Sequence, residues 1–329
     1  MDPLDPELRH WISQQLAALG RPSDFDVEPL KVEASHRRFY RVRPRETAEP
    51  TQVVMSSPPD LEHNEQFELL ASIFSKFGVG VPRIMASDRA AGWYLMTDLG
   101  SVHLEDVYGS PQADAAMDLA LDTLLRIQAV NDLNLQPYTP GRFRDELDIF
   151  RRWFVEDWLQ VPFPAGDLTP VFEALVAMTQ DQPQCCVHRD FHCRNLLVGE
   201  HTLGVVDFQD ALLGPVSYDL ASLLRDCYHR FSETEIERWR EGYLARTSLK
   251  LDPVKFAADL DLMAVQRQLK AVGIFARLQL RDAKSSHLRY IPPVLAHLGE
   301  VAERYPILQP LSRHLPSWQQ AAAKLAASQ

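Results

Sequence analysis

The first hundred residues combine an opening helical segment with short apolar runs that are separated by polar turns. An aspartate followed by proline, at residues 2–3 or 5–6, and Gly20 predict where the opening helix begins and ends. From residue 26 to about 57, runs rich in valine, phenylalanine and tyrosine predict three antiparallel strands. Helical spacing of apolar residues predicts a helix near 60–77, and PRIMASD and GWYLMTD predict two more strands. We therefore expect a five-stranded sheet with one helix across it.

The rest of the chain has mostly helical spacing. Apolar positions predict helices near 112–130, 143–159 and 253–281. Prolines are expected to separate the elements at positions 253, 292, 293, 306, 310 and 316. The exception is the segment 184–209, where QCCVH, NLLVG and LGVVDFQ predict short strands around a polar loop. The expected fold class is α+β, with a small antiparallel-sheet lobe at residues 1–100 and a mostly helical lobe at residues 101–329.

Composition narrows the class of protein. Apolar residues make up 46% and charged residues 24% of the 329 residues, which is typical of a globular chain. The net charge of −11 argues against a broad nucleic-acid or anionic-membrane surface, so we expect neither partner. No apolar run approaches the roughly eighteen residues of a membrane span, and the start lacks a secretory pattern. We expect a cytoplasmic protein, and the sequence carries no signal for its oligomeric state.

The cysteines admit two interpretations. They are Cys185, Cys186, Cys193 and Cys227, and their spacing is unlike a disulfide framework, which favours a reducing compartment. In CCVHRDFHC, Cys185 and Cys193 could form a zinc site with His188 and His192. Structural zinc usually draws on two separated ligand pairs, and no second pair occurs in this sequence. Small apolar cysteines on a buried strand are therefore the favoured interpretation.

The segment HRDFHCRN carries the strongest chemical signal. It contains Asp190 and Asn195, and Asp207 follows in VVDFQD. Phosphoryl transfer uses one carboxylate to orient the acceptor hydroxyl, and a carboxamide with a second carboxylate to hold magnesium against the nucleotide phosphates. A tight loop would present the first two side chains on one rim, and the hairpin after it would return Asp207 to that rim. The ordered set of three is far more specific than any one of them.

With these motifs the chain resembles the aminoglycoside phosphotransferase and choline kinase superfamily, which has a two-lobed protein-kinase-like fold. Three stretches are similar to the bacterial kinases of the anomeric hydroxyl of N-acetylmuramate and N-acetylglucosamine: SHRRFYRV with VVMSSPP, HRDFHCRNLL, and VVDFQDALLGPVSYDLASLLRD. The resemblance implies an enzyme, a phosphotransferase with an alcohol group as acceptor. It would use ATP and Mg²⁺ to convert a small amino sugar into its 1-phosphate during peptidoglycan recycling.

The resemblance also implies a role for each matching position. Asp190 takes the position of the catalytic base, and Asn195 and Asp207 take the positions of the magnesium ligands. Asp219, in YDLASLL, takes a structural position that braces the catalytic loop, and His188 would hold that loop from within. Taken without the family, His188 is a hydrogen-bonded structural histidine and Asp219 is a helix cap.

The predicted sheet lobe departs from the kinase pattern in two places. VEASHRRFYRV has no glycine where a glycine-rich phosphate loop is expected, and VVM ends in Met55 where protein kinases carry a lysine. Arg37 or Arg38 is our candidate for contacting the ATP phosphates, and a solvated arginine-rich hairpin is the alternative. The hinge that binds adenine through main-chain groups is expected at Met96, Thr97, Asp98 and Leu99. Ordinary core filling is the alternative for the side chain of Met96.

The acceptor pocket has the weakest signal. His192 follows the candidate base, and Gln209 and Asp210 follow the second candidate carboxylate, so we expect these three to face the sugar. Trp153 and Trp158 could stack on a sugar ring, although core packing is favoured for both. Two other functions stay open. One is a kinase for an aminoglycoside, choline or methylthioribose, and the other is a nucleotide-binding scaffold without turnover.

Overall fold

A computed structural model of the protein describes residues 4–30, 36–45, 50–132 and 134–327. The chain forms two compact units, and neither is continuous in sequence. The first unit comprises Met1–Val130 and Arg194–Asp210, and the second comprises Asn131–Cys193 and Ala211–Gln329. The predicted division into lobes at residues 1–100 and 101–329 stays a prediction.

The first unit contains a five-stranded antiparallel sheet in the order β1-β2-β3-β5-β4. The strands are β1 (Phe25–Leu30), β2 (Arg38–Pro44), β3 (Gln52–Ser56), β4 (Ile84–Asp88) and β5 (Trp93–Thr97). Buried residues of helix α1 (Pro6–Ala18), among them Ile12 and Leu16, pack with Val42 and Val54 of the sheet. Asp5 caps that helix by accepting a hydrogen bond from the N–H of Glu7.

The predicted helix at 60–77 is α2 (Asn64–Lys76), whose buried side includes Phe67 and Phe74. Unit 1 also contains α3 (Leu104–Val107), α4 (Ala113–Gln128) and a hairpin of β7 (Leu196–Val198) and β8 (Leu203–Val205). A one-turn 3₁₀ helix, Cys193–Asn195, precedes that hairpin.

The second unit is mainly helical. Its elements are α5 (Pro140–Ile149), a π-helical segment (Phe150–Trp158), α6 (Ala165–Gln180), β6 (Gln184–Val187), β9 (Leu212–Pro215), α7 (Tyr218–Leu224), α8 (Glu233–Arg246), α9 (Pro253–Asp282), α10 (Ile291–Ala302) and α11 (Gln309–Ala327). Strands β6 and β9 pair antiparallel. The α+β class predicted from the sequence is confirmed. Across the described residues, no helix has the length and apolar character needed to cross a membrane.

One of the predicted proline boundaries is wrong. The prolines at 253, 292, 293, 306 and 310 lie in the first turns of helices, where the missing N–H has no helical partner. Pro316 lies inside α11 instead. Leu311, Leu315 and Trp318 are all buried on that helix, so the burial of its apolar side outweighs the lost backbone hydrogen bond.

The predicted helix near 143–159 contains a change of helix type. Helix α5 gives way at Phe150 to the π-helical segment, at whose end the N–H of Leu159 donates to the carbonyl of Phe154, five residues back. Helix α9 passes this junction at Gly273. A Cβ atom on Gly273 would lie 2.6 Å from the carbonyl carbon of Ile149 and 2.6 Å from the amide nitrogen of Phe150. The two backbones therefore approach more closely than any side chain permits.

We predict that Gly273→Ala destabilises the protein by about 1–3 kcal/mol because α9 has to move away from the junction. Gly299→Ala in α10 is the matched control, since nothing lies within 4 Å of its added Cβ. There we expect no loss and a gain of up to about 1 kcal/mol from helix propensity. Urea unfolding of both variants measures the difference, and equal free energies of unfolding would contradict the close approach.

Candidate active site

The loop after β6 carries Asp190, and two buried side chains hold its backbone. The Asp219 carboxylate accepts one hydrogen bond from the N–H of His188 at 2.6 Å and another from the N–H of Arg189 at 2.9 Å. The fully buried His188 accepts the N–H of Asp190 on its Nδ1 at 3.2 Å. The backbone N–H groups of residues 188, 189 and 190 thus all bind buried side chains, and this fixes the loop that carries Asp190.

Burial and neighbouring charges move the pKa values of the two carboxylates in opposite directions. Burial raises the pKa of Asp219 to about 6, against the lowering effect of the two N–H donors. Burial would also raise the pKa of Asp190, but the cationic side chains of Lys270 and Arg267 outweigh it and lower that pKa to about 2. At neutral pH Asp190 is therefore a carboxylate.

The two candidate magnesium ligands lie on one hairpin of unit 1. The N–H of Val206 donates to the carbonyl of Asn195 at 3.1 Å, which places Asp207 one residue beyond this pair. Asp207 is exposed and has φ +63°, a left-handed conformation that is uncommon outside glycine. Its Oδ1 accepts a hydrogen bond from Nε2 of Gln209 at 2.8 Å. The hairpin thus brings Asn195 and Asp207 to neighbouring positions of the backbone, and the rim that they were expected to share with Asp190 stays a prediction.

Phe208 anchors the residue beside Asp207. Its fully buried ring stacks on Phe67 at 5.2 Å between centroids, with the ring planes 20° apart, and packs against Phe74 at 5.8 Å. Both partners belong to α2. The burial of this ring fixes the backbone next to the left-handed Asp207, so the carboxylate has a defined direction.

Two glycines let the hairpin sit against the rest of unit 1. The N–H of Val205 donates to the carbonyl of Gly80 at 2.7 Å. A Cβ on Gly80 would come 2.4 Å from the carbonyl oxygen of Leu203, and one on Gly204 would come 2.9 Å from Cβ of Leu99. The candidate metal hairpin therefore lies in direct contact with the segment that follows β5, where adenine was expected.

The donor chemistry of Asn195 and Asp207 fits magnesium. Mg²⁺ prefers oxygen ligands and is usually held by one or two carboxylates together with substrate phosphates and water. Within the described ranges, no three His, Cys, Asp or Glu side chains are grouped to hold a metal ion. Cys185, one ligand of the alternative zinc site, is buried on β6 beside Cys186, and burial raises the pKa of both thiols.

In the expected hinge at the end of β5, the side chain of Met96 belongs to the core and the carboxylate of Asp98 has a structural role. Met96 is 2% exposed and pairs with Val53 of β3, so its side chain fills the core. The Asp98 carboxylate accepts hydrogen bonds from Nε of Arg41 and Oγ1 of Thr51, each at 2.6 Å. No pattern in the sequence indicates the pair of Arg41 and Asp98. Thr97 and Leu99 are half-buried, and adenine binding through the main chain of these four residues stays a prediction.

Most arginine side chains in and just before strand β2 are paired with acidic side chains. The buried Arg37 donates to Oγ of Ser57 at 3.2 Å and lies 3.5 Å from Glu62. Further along, Arg41 binds Asp98, Arg43 binds Glu28 and Arg45 binds Asp26. The side chain of Arg38 is exposed at the first position of β2. Arg38 thus fits the predicted contact with a phosphate better than Arg37 does.

The residues expected at the sugar fall in different units. His192 is half-buried in unit 2, with its ring 5.3 Å from that of Tyr228 in an edge-to-face arrangement. Gln209 and Asp210 belong to unit 1, where Gln209 binds Asp207 and Asp210 is exposed. Trp158 is 4% exposed and packs on Phe154 at 5.7 Å, as core packing requires. The expected contacts of His192, Gln209 and Asp210 with the sugar stay predictions.

Sequence reasoning missed a set of buried charges around the candidate base. Its members are Glu146 of α5, Arg189 of the loop, and Arg267 and Lys270 of α9. They are separated by up to 124 positions along the chain, so no local motif connects them. One signal was present in the sequence, because two basic residues interrupt the predominantly apolar pattern in the middle of the long helix predicted at 253–281.

The fold and the site define a phosphotransferase with a kinase-like architecture, and comparison with known proteins agrees. The family model of the phosphotransferase enzyme family (APH) matches residues 26–257, and the chain belongs to that family. A Pseudomonas aeruginosa protein named N-acetylmuramate/N-acetylglucosamine kinase is 34% identical, over 96% of this chain and 97% of that protein. A Pseudomonas putida protein of the same name is 32% identical, over 93% and 94%.

Solved structures confirm the predicted kinase-like fold. A choline/ethanolamine kinase family protein from Mesorhizobium loti has a TM-score of 0.65 at 15% identity, with 95% of this chain and 99% of that chain covered. A choline kinase from Streptococcus pneumoniae has a TM-score of 0.62 at 15% identity, with 89% and 99% covered. At these identities the likeness concerns the fold alone.

We predict that Asp219→Asn lowers kcat and destabilises the fold by about 1–3 kcal/mol. The two carboxylate oxygens each accept a different backbone N–H, and a carboxamide would turn its NH₂ toward one of them. Asp252→Asn is the control, because Asp252 accepts the N–H of Lys255 at the start of α9 and asparagine caps a helix equally well. Urea unfolding and steady-state kinetics provide the readouts, and a wild-type kcat in Asp219→Asn would contradict the bracing role.

We predict that Arg38→Ala raises the KM for ATP about tenfold while kcat changes little, if this exposed guanidinium contacts a phosphate. Arg43→Ala is the control on the same strand, since Arg43 is also exposed and pairs with the exposed Glu28. An ATP titration at saturating acceptor separates the two variants. An unchanged KM in Arg38→Ala would favour the solvated hairpin.

Proposed function

We propose that this protein transfers the γ-phosphoryl group of ATP to the anomeric hydroxyl of N-acetylmuramate or N-acetylglucosamine. The product would be a sugar 1-phosphate made in the cytoplasm during peptidoglycan recycling. The observation that carries the proposal is Asp190, an ionised carboxylate on a loop whose backbone Asp219 and His188 hold. The names of relatives that match almost the whole chain support the choice of acceptor.

Asp190 would act mainly by orientation. A carboxylate with a pKa of about 2 is a weak base, so it cannot remove a proton early in the reaction. In a loose phosphoryl transition state the acceptor hydroxyl loses its proton late, and a weak base is then sufficient. An anomeric hydroxyl is also more acidic than an ordinary alcohol, which reduces the demand on the base further.

The nucleotide would be held by groups of unit 1. Asn195 and Asp207 would bind Mg²⁺, which supplies neutralisation of charge on the phosphates. Arg38 would add a contact with a phosphate, and the main chain of 96–99 would bind adenine. Catalysis then rests on placement and electrostatics, which are the dominant contributions in phosphoryl transfer.

A kinase for a cationic acceptor is the second candidate. The net charge of −11 favours a positively charged substrate such as choline or an aminoglycoside over an anionic one. The chemistry of the product separates the two functions. A glycosyl 1-phosphate is labile in acid, whereas a phosphate on an ordinary hydroxyl survives the same treatment.

We predict that the protein consumes ATP with N-acetylmuramate or N-acetylglucosamine in the presence of Mg²⁺, and that ³¹P–¹³C NMR places the phosphate on carbon 1. Asp190→Asn should lower kcat by at least about 100-fold with little change in ATP binding, because the carboxamide cannot take the proton of the acceptor hydroxyl and none of the proposed nucleotide contacts is changed. Asp148→Asn, an exposed carboxylate bound to Arg151, is the control and should keep full activity.

Four outcomes would contradict the proposal in different ways. Phosphorylation of choline or an aminoglycoside, but of no amino sugar, would show that the acceptor is not an amino sugar. An acid-stable product would show that the phosphate is not on the anomeric carbon. Unimpaired turnover of Asp190→Asn would show that this residue is not the base. Absence of ATP turnover with every acceptor would favour the nucleotide-binding scaffold.

A further inference from the structure

A group of buried charges in unit 2 links α5, the catalytic loop and α9. Its centre is Glu146, which is 6% exposed. The Glu146 carboxylate accepts hydrogen bonds from Arg189 at 2.9 Å, Lys270 at 2.8 Å, Gln266 at 3.0 Å and the hydroxyl of Tyr138. Apart from the positive charges of Lys270 and Arg189, which lower the pKa of Asp190, these side chains have no role in the function proposed above.

The balance of charge shows that Glu146 is ionised. Burial would raise its pKa, but the ammonium of Lys270 and the guanidinium of Arg189 outweigh burial and lower the pKa to about 2. One carboxylate therefore faces two cations in a site with little access to water. Removing it would leave both cations without their shared acceptor, which is costly in the protein interior.

Arg189, the residue before Asp190, is held through both its backbone and its guanidinium. Its N–H donates to Asp219 at 2.9 Å, its carbonyl accepts from Arg267 at 2.5 Å, and its guanidinium donates to Glu146. The same guanidinium lies 5.0 Å from the centre of the Tyr138 ring. These contacts surround one residue from three elements of the unit.

The backbone of Arg189 needs such support. Its φ is +79°, in the left-handed region that non-glycine residues rarely adopt. A strained turn persists only when its surroundings determine it. Because Asp190 is the next residue, any relaxation of this turn rotates the candidate base away from its direction.

We propose that Glu146 is a positioning residue for phosphoryl transfer, which acts by holding Arg189 in the left-handed turn that aims Asp190. The proposal rests on the proposed function, since it assigns to Glu146 a part in the reaction that Asp190 would serve. Lys270 completes the arrangement, because it binds Glu146 and is one of the cations that keep Asp190 ionised.

The test is Glu146→Gln, which keeps the shape of the side chain and removes its charge. We expect kcat per folded molecule to fall about 10- to 100-fold, while the KM for ATP changes by less than about twofold. In Arg189→Met the partner is lost instead. If Glu146 acts through Arg189, the double variant should lose no more kcat than the more impaired single variant.

A purely structural ion cluster predicts a different result, and Asp261→Asn provides the comparison. Asp261 is also buried on α9 and binds Arg225, Arg304 and Tyr305. We expect this variant to lower Tm while kcat per folded molecule stays at the wild-type value. Folded protein is counted by near-UV circular dichroism at the assay temperature, so that loss of fold and loss of turnover are separated.

The outcomes distinguish the inference from the proposed function. A wild-type protein that phosphorylates amino sugars, together with a Glu146→Gln variant of unchanged kcat, contradicts the inference alone. Additive losses in the double variant contradict it as well, because they show that Glu146 acts independently of Arg189. A wild-type protein that transfers phosphate to no acceptor contradicts the proposed function, and the inference falls with it.

Discussion

The candidate catalytic loop depends on the hydrogen bonds that its backbone donates to the Asp219 carboxylate. This carboxylate is completely buried, and each of its oxygens accepts a backbone N–H from a different loop residue. This restraint comes from outside the loop, and within the loop the His188 side chain adds to it by accepting the N–H of Asp190. The raised pKa of Asp219 shows that burial of its charge is only partly offset by these donors. The buried charge of Asp219 therefore lowers the stability of the fold, while its two hydrogen bonds fix the backbone of the loop.

Much of the fold could be predicted from the sequence because local patterns determine it. Short runs rich in valine, phenylalanine and tyrosine marked β1, β2 and β3, and helical spacing marked α2, α4 and α9. Helix α6 was missed although its buried residues, such as Leu168, Val171 and Leu175, have helical spacing. Pro170 lies inside this helix, and a proline within such a pattern usually indicates a boundary. The π-helical segment was missed because its cause is distant: Gly273 of α9 packs against its first residue. No sequence window of ordinary length contains both partners.

The candidate site divides in the same way. Asp190, Asn195 and Asp207 belong to a short motif, so their order alone indicated phosphoryl transfer. The residues that support them come from far along the chain, as Arg41 with Asp98 and Glu146 with Lys270 illustrate. An ion pair between remote residues has no periodicity and needs no particular neighbours, so only coordinates reveal it. The same holds for the arginine-rich strand, where most of the charge that looked available is already paired.

The glycines at 80 and 204 limit how this protein can change during evolution. Each lies where an added methyl group would overlap a neighbouring atom, one against the carbonyl of Leu203 and the other against Leu99. Mutation to any other amino acid at either position would push the hairpin of Asn195 and Asp207 outward. Descendants that keep this hairpin in place are thus confined to glycine at both sites. The amino acid at these two positions is restricted by the space around them, although neither glycine carries a reactive group.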